Sequence, residues 1–188
     1  MIAHNMGMPA PRVPRTAKEK PPPTEGQLWE YALRVISVRA LSAGEMRTRL
    51  RRRKAAPEVV EAVVAKLREY GYLDDSVFAG AYASARKENQ LHGKQRVLRD
   101  LRLRQVPAAL AEAAVVETYA ESDEVELIET YLNRKFRREK LGEYLKDPAH
   151  LASAFRRLRY AGFSASNSIR VLKRFSERAE ELEGEPEE

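Results

Sequence analysis

Leu50-Arg-Arg-Arg-Lys-Ala-Ala-Pro57 returns as Leu101-Arg-Leu-Arg-Gln-Val-Pro107 and again as Leu158-Arg-Tyr-Ala-Gly-Phe-Ser164. Each copy is the arginine-rich end of an apolar-spaced helix, then a short break, then a second helix opening on Pro or Ser. A recurrence at about fifty residues means that one small helical unit is stacked, because a lone unit cannot bury its apolar face and its neighbours must do so. The expected product is an elongated basic surface suited to binding.

Outward from these stretches the pattern stays helical. Leu28, Tyr31, Ala32 and Val35 form one apolar stripe, Val60, Val63, Val64 and Leu67 a second, and Leu151, Ala154, Phe155 and Leu158 a third. No stretch alternates with period two. Ser42-Ala-Gly-Glu45 has capping-box spacing, flanked by Leu41 and Met46 as a hydrophobic staple. Leu73 and Phe78 bracket Asp74 in the same way, with Gly71 as the left-handed stop of the preceding helix. Pro57, Pro107 and Pro148 sit where helices should begin. The expected fold is all-α, three tandem three-helix repeats at residues 25–73, 74–120 and 121–176. Packed helices 8 to 10 Å apart would carry such a row to about 60 Å.

Composition bounds the flanks. Residues 1–24 hold six of the ten prolines and four basic residues, which predicts a flexible basic arm. The last twelve residues, 177–188, carry seven glutamates and one arginine and read as an acidic tail; residues 1–176 then hold 33 basic against 21 acidic groups, a net of +12. Such a body suits polyanions or an acidic protein surface. With no cysteine, disulfides and thiolate metal sites are excluded, and His4, His92 and His150 lack metal-ligand spacing. No apolar run approaches a membrane span of about 20 residues, and no signal-peptide core is present, so the expected location is cytoplasmic.

The order of short motifs carries a family resemblance. Tyr31-Ala-Leu-Arg-Val-Ile-Ser-Val-Arg39, Leu41-Ser-Ala-Gly-Glu45 and Leu67-Arg-Glu-Tyr-Gly-Tyr-Leu-Asp-Asp75-Ser-Val-Phe78-Ala79 resemble the RecX family of recombination regulators. The likeness runs on through Tyr82, Arg86, His92-Gly93 and Arg96-Val97-Leu98-Arg99-Asp100-Leu101 to Arg159-Tyr-Ala-Gly162-Phe163-Ser164, covering Gln27 to Phe175. Arg104-Gln105-Val106 departs from it, standing where the family's second helix ends on a glycine. The resemblance implies a curved array of three-helix repeats. It further implies binding to the RecA recombinase filament on single-stranded DNA, with inhibition of its ATPase, strand-exchange and coprotease activities, a role in DNA repair and the SOS response, and no enzymatic step.

The side chains point the same way on their own. Arg96, Arg99 and Arg102 fall at i, i+3 and i+6, flanked by Lys94 and Arg104, and predict a cationic ridge with only Asp100 as a carboxylate on that helix. A denser first-repeat run adds Arg47, Arg51 and Lys54 as candidate partner contacts, while Arg53 shares the face of Met46 and Leu50 and is expected to cover apolar surface. Arg134, Lys135, Arg137 and Arg138 close another helix, where cations suit the dipole. Asp74 and Asp75 read as helix caps, and Tyr72, Phe78 and Tyr82 as core. No phosphate-cradling loop, catalytic constellation or cofactor site is present. The expected partners are therefore the recombinase filament and, weakly, single- or double-stranded DNA, engaged by a monomer; the alternative is a basic helical module that coats nucleic acid.

Overall fold

The computed structural model describes residues 21–184, so most of the expected arm and the last four residues of the expected tail lie outside the described residues. Helices α1 (Glu25–Val38), α2 (Ala43–Arg51) and α3 (Pro57–Glu69) enclose one core, in which Leu28, Ala32, Met46, Leu50, Val63 and Leu67 are almost fully buried. Helices α4 (Asp75–Gln90), α5 (Lys94–Leu103) and α6 (Ala108–Thr118) enclose a second, with Ala79 and Ala83 of α4 small enough to admit α6 closely. A third core belongs to α7 (Glu124–Lys135), α8 (Leu141–Tyr144), α9 (Pro148–Ala161), α10 (Ala165–Leu172) and a 3-10 helix, Glu177–Gly184. No strand occurs among the described residues. The molecule is an all-α repeat protein.

Two features of the third unit correct the sequence reading. It holds more than three helices, because the one-turn α8 interrupts the link from α7 to α9 and places Leu145 in the core. The tail expected to start at residue 177 does not start there, because Ala179 and Leu182 are buried against α9 and α10. The surrounding glutamates mask this apolar pair, spaced i and i+3, in the composition.

Helix boundaries follow local chemistry. Thr24 and Ser42 form complete capping boxes with Gln27 and Glu45, and Asp74 accepts from the amides of Ser76 and Val77. Pro57 and Pro148 open their helices, whereas Pro107 sits one position earlier, as the N-cap of α6. The absent glycine of the second copy is resolved by backbone geometry: Gln105 takes φ 58°, as Lys54 does, and Gly162 takes φ 92°. The fifth residue of each quoted stretch thus turns left-handed, with or without a glycine.

Those turns stack the units. A Cβ on Gly44 would overlap Gln105, and one on Gly93 would overlap the Gly162 carbonyl, so the start of one unit's middle helix rests on the left-handed turn ending the next unit's. At the first junction Ser42 Oγ donates to the Arg104 carbonyl and Thr48 Oγ1 to Gln105 Oε1 at 2.8 Å. At the second, Gly93 N donates to the Ala161 carbonyl at 2.8 Å and Gln95 N to that of Gly162 at 3.3 Å. Leu127 packs against both the second and the third core.

Candidate partner-binding surface

The α5 arginines do not form one free ridge. Arg96 is half-buried: its Nε donates to Asp100 Oδ1 at 3.1 Å, its Nη1 to the Tyr160 carbonyl at 3.5 Å, and its guanidinium lies 4.4 Å from the Tyr160 ring centroid. It ties the second unit to the third. The contact holds the Tyr160 phenol below the ordinary tyrosine range, through hydrogen bonding from Arg96 and then its charge. Arg102 pairs with Glu112 of α6 at 3.3 Å. Arg104 pairs with Glu45 of α2 at 3.3 Å and lies 5.3 Å from the Tyr82 ring, tying the second unit to the first. Arg99 and Lys94 are exposed. Asp100 is the only carboxylate on this helix, but the repeat brings Glu112 and Glu45 to it from far along the chain.

In the first unit Arg47 and Arg51 converge on Glu61 of α3, at 2.8 and 3.3 Å. Hydrogen bonding from Arg47, opposed by slight burial and joined by both positive charges, holds the Glu61 carboxyl below the usual range. Lys54 is exposed at the left-handed turn, and the Arg53 guanidinium lies 4.7 Å from the Tyr31 ring, covering apolar surface. Asp75 departs from its expected role. Only 6% exposed, it caps α2 rather than its own helix, accepting from Ala43 N at 2.7 Å and from Arg68 Nη2 at 3.0 Å. Tyr72 is not core: it is 49% exposed and forms an aromatic cluster with Trp29 and Tyr70.

A feature missed in the sequence lies between the second and third units. A cleft of about 840 Å³ is lined by Asn89, Gln90 and His92 on one side and by Tyr131, Arg134, Lys135, Arg156, Arg157 and Tyr160 on the other. The α7 cations Arg134 and Lys135 lie at i+3 and i+4 from Tyr131, and Ser153, Arg156, Arg157 and Tyr160 share one face of α9. A signal for it was present: Pro148 to Ser176 contains six Lys and Arg and no carboxylate. Arg134 and Lys135, read in the sequence as cations closing a helix, also line this cleft.

Comparison with known proteins follows the same division into units. The model of the first three-helix domain of RecX matches residues 29–67, and that of the second three-helix domain of RecX matches residues 74–115. Regulatory protein RecX of Deinococcus radiodurans is 32% identical over 126 residues, 67% of this chain and 58% of that protein. The protein of the same name from Geobacillus thermodenitrificans is 30% identical over 157 residues, 84% of this chain and 57% of that protein. The chain thus spans less than two thirds of these two relatives. The Streptomyces coelicolor regulatory protein RecX is 29% identical over 176 residues, 93% of this chain and 89% of its own. A crystal structure of RecX from Lactobacillus salivarius shares the fold, with a TM-score of 0.60 at 16% identity, covering 80% of this chain and 96% of that one.

Proposed function

Because the chain belongs to the RecX family, and is a regulator by that membership, we propose that it binds the RecA recombinase filament on single-stranded DNA and inhibits the filament's ATPase, strand-exchange and coprotease activities. The observation that carries this reading is the pair of RecX three-helix domains in tandem over residues 29–67 and 74–115. The geometry supports it: units stacked through turn contacts form a repeat array, an architecture suited to docking along a polymer. Units at 25–73, 74–120 and from 121 through the 3-10 helix Glu177–Gly184 act together, as a monomer in the cytoplasm, where the recombinase works. Among the sequence candidates, Lys94, Arg99 and Lys54 are exposed and suited to partner contact. Arg96 and Arg104 serve mainly to hold the units in register.

The test is the DNA-dependent ATPase of the recombinase with this protein added. Turnover should fall as the protein is titrated, and Lys94→Glu/Arg99→Glu should raise the concentration needed without lowering the melting temperature, since exposed charges contribute little to stability. Undiminished turnover at saturating protein overturns the proposal. If the alternative of strand coating held instead, naked single strands would bind as well as the filament, and affinity would drop by roughly 0.7 log units per phosphate contact for each decade of salt.

A further inference from the structure

The cations along α5 and α2 are largely matched by carboxylates, and those of the cleft between the second and third units are not. Among the described residues Arg134, Lys135, Arg156 and Arg157 take part in no ion pair, and no carboxylate lines the cleft. Four like charges around one concavity repel one another and concentrate positive potential in it. An anion that entered would relieve that repulsion.

Other features of the cleft narrow the anion. Its volume of about 840 Å³ falls in the range of small-molecule sites. The Tyr160 ring is covered by Arg96 on one face, yet the residue stays 69% exposed, which leaves a surface on which a base can stack. Asn89, exposed on the rim, offers an amide able to both donate and accept toward a base edge. His92 lines the cleft, and its Nδ1 is the buried side-chain polar atom left without a hydrogen-bond partner among the described residues. Burial, and then the charges of Arg96 and Arg86, lower the pKa of this imidazole against the opposing charge of Asp100. A carboxylate-bearing peptide would use the cations and leave the ring and amide idle.

We infer that this cleft binds the phosphates of a nucleotide, with Arg134, Lys135, Arg156 and Arg157 on the phosphates and Tyr160 under the base. Phosphate carried by a free nucleoside triphosphate and phosphate carried by a single strand share this chemistry. The inference stands apart from filament inhibition and is tested with no recombinase present.

The experiment measures binding of the full chain to ATP by calorimetry and to fluorescently labelled oligothymidylate by anisotropy, with poly-glutamate and inorganic phosphate as further probes. Arg156→Glu/Arg157→Glu should weaken nucleotide binding at least about tenfold, a loss of about 1.4 kcal/mol. Arg52→Glu/Arg170→Glu, an equal charge change on exposed sites outside the cleft, should leave it unaltered. Binding of ATP identifies a free nucleotide as ligand, and binding of the oligonucleotide alone identifies a strand. Tyr160→Leu should weaken nucleotides while sparing inorganic phosphate. The inference is overturned if neither nucleotide probe binds the wild type, if poly-glutamate binds as tightly, or if both double variants lose binding equally. Circular dichroism melts of each variant keep a folding defect from counting as a binding defect.

Discussion

Glu124 is the first residue of α7, yet its carboxylate serves α10. Oε1 accepts from Ser164 N at 2.9 Å, and Oε2 accepts from Ser164 Oγ and Asn167 Nδ2, each at 2.6 Å. Burial pushes this carboxyl up, but the hydrogen bonds from Ser164 and Asn167 outweigh it, and the net displacement is downward. A folded pKa below the unfolded value of about 4.3 means that the ionised group stabilises the fold fully above that pH, and that the contribution is lost as pH falls through the lower folded value. Thermal melts across acid pH should therefore show a decline in stability that Glu124→Gln removes, with the variant about 1–2 kcal/mol less stable near neutrality. An identical pH profile in wild type and variant would refute this role. Glu124 also marks where sequence reading stops. Ser164 was legible as the opening of a helix; its partner 40 residues upstream was not, because pairing across a repeat has no local period. The α5 arginines failed for the same reason: counting carboxylates along one helix omits Glu112 and Glu45.

At the scale of elements, the helix starts were the most legible feature. N-caps and staples are written within six residues, and at Ser42 and Asp74 the structure uses those side chains on those amides. Helix ends were harder. Gly71 and Gly162 show left-handed stops openly, whereas Lys54, Leu91 and Gln105 adopt positive φ without glycine's freedom. A side chain in that region costs about 1–2 kcal/mol, and here the repeat imposes the turn from outside, through the junction that Gln105 makes with Gly44 and Thr48. Among the described residues no unit rests on Lys54, so its strain is separable from the stacking seen there. Lys54→Gly should relieve it at some loss to unfolded-chain entropy, for a net gain of about 0.5 kcal/mol and a rise of about 1–2 °C in melting temperature. Gln105→Gly should give no such gain, because it also removes the hydrogen bond from Thr48. Equal effects at the two turns would contradict the account.

Across the whole molecule, three cores are joined by two unlike junctions. The second has an apolar component, since Leu127 packs into both neighbouring cores and Leu91 packs against the third. Across the first, no residue packs into both flanking cores among the described residues, and Ser42, Thr48 and Glu45 meet Gln105 and Arg104 while Asp75 joins Ala43 to Arg68. Apolar burial couples neighbours in proportion to the area removed from water, whereas hydrogen bonds exchanged with water contribute about 0.5–1.5 kcal/mol each. In a repeat array the weakest interface sets where cooperativity breaks. Native-state hydrogen exchange should therefore find the amides of α1, α2 and α3 opening at lower free energy than those of α7, α9 and α10. Asp75→Asn should widen the gap by about 1–3 kcal/mol, because Arg68 loses its charge partner and the first turn of α2 loses a strong acceptor. The third unit should keep its protection in that variant. A single opening energy shared by every helix, unmoved by Asp75→Asn, would mean that the polar junction couples the units as tightly as a common core. The first unit could then not tilt independently to follow a partner surface.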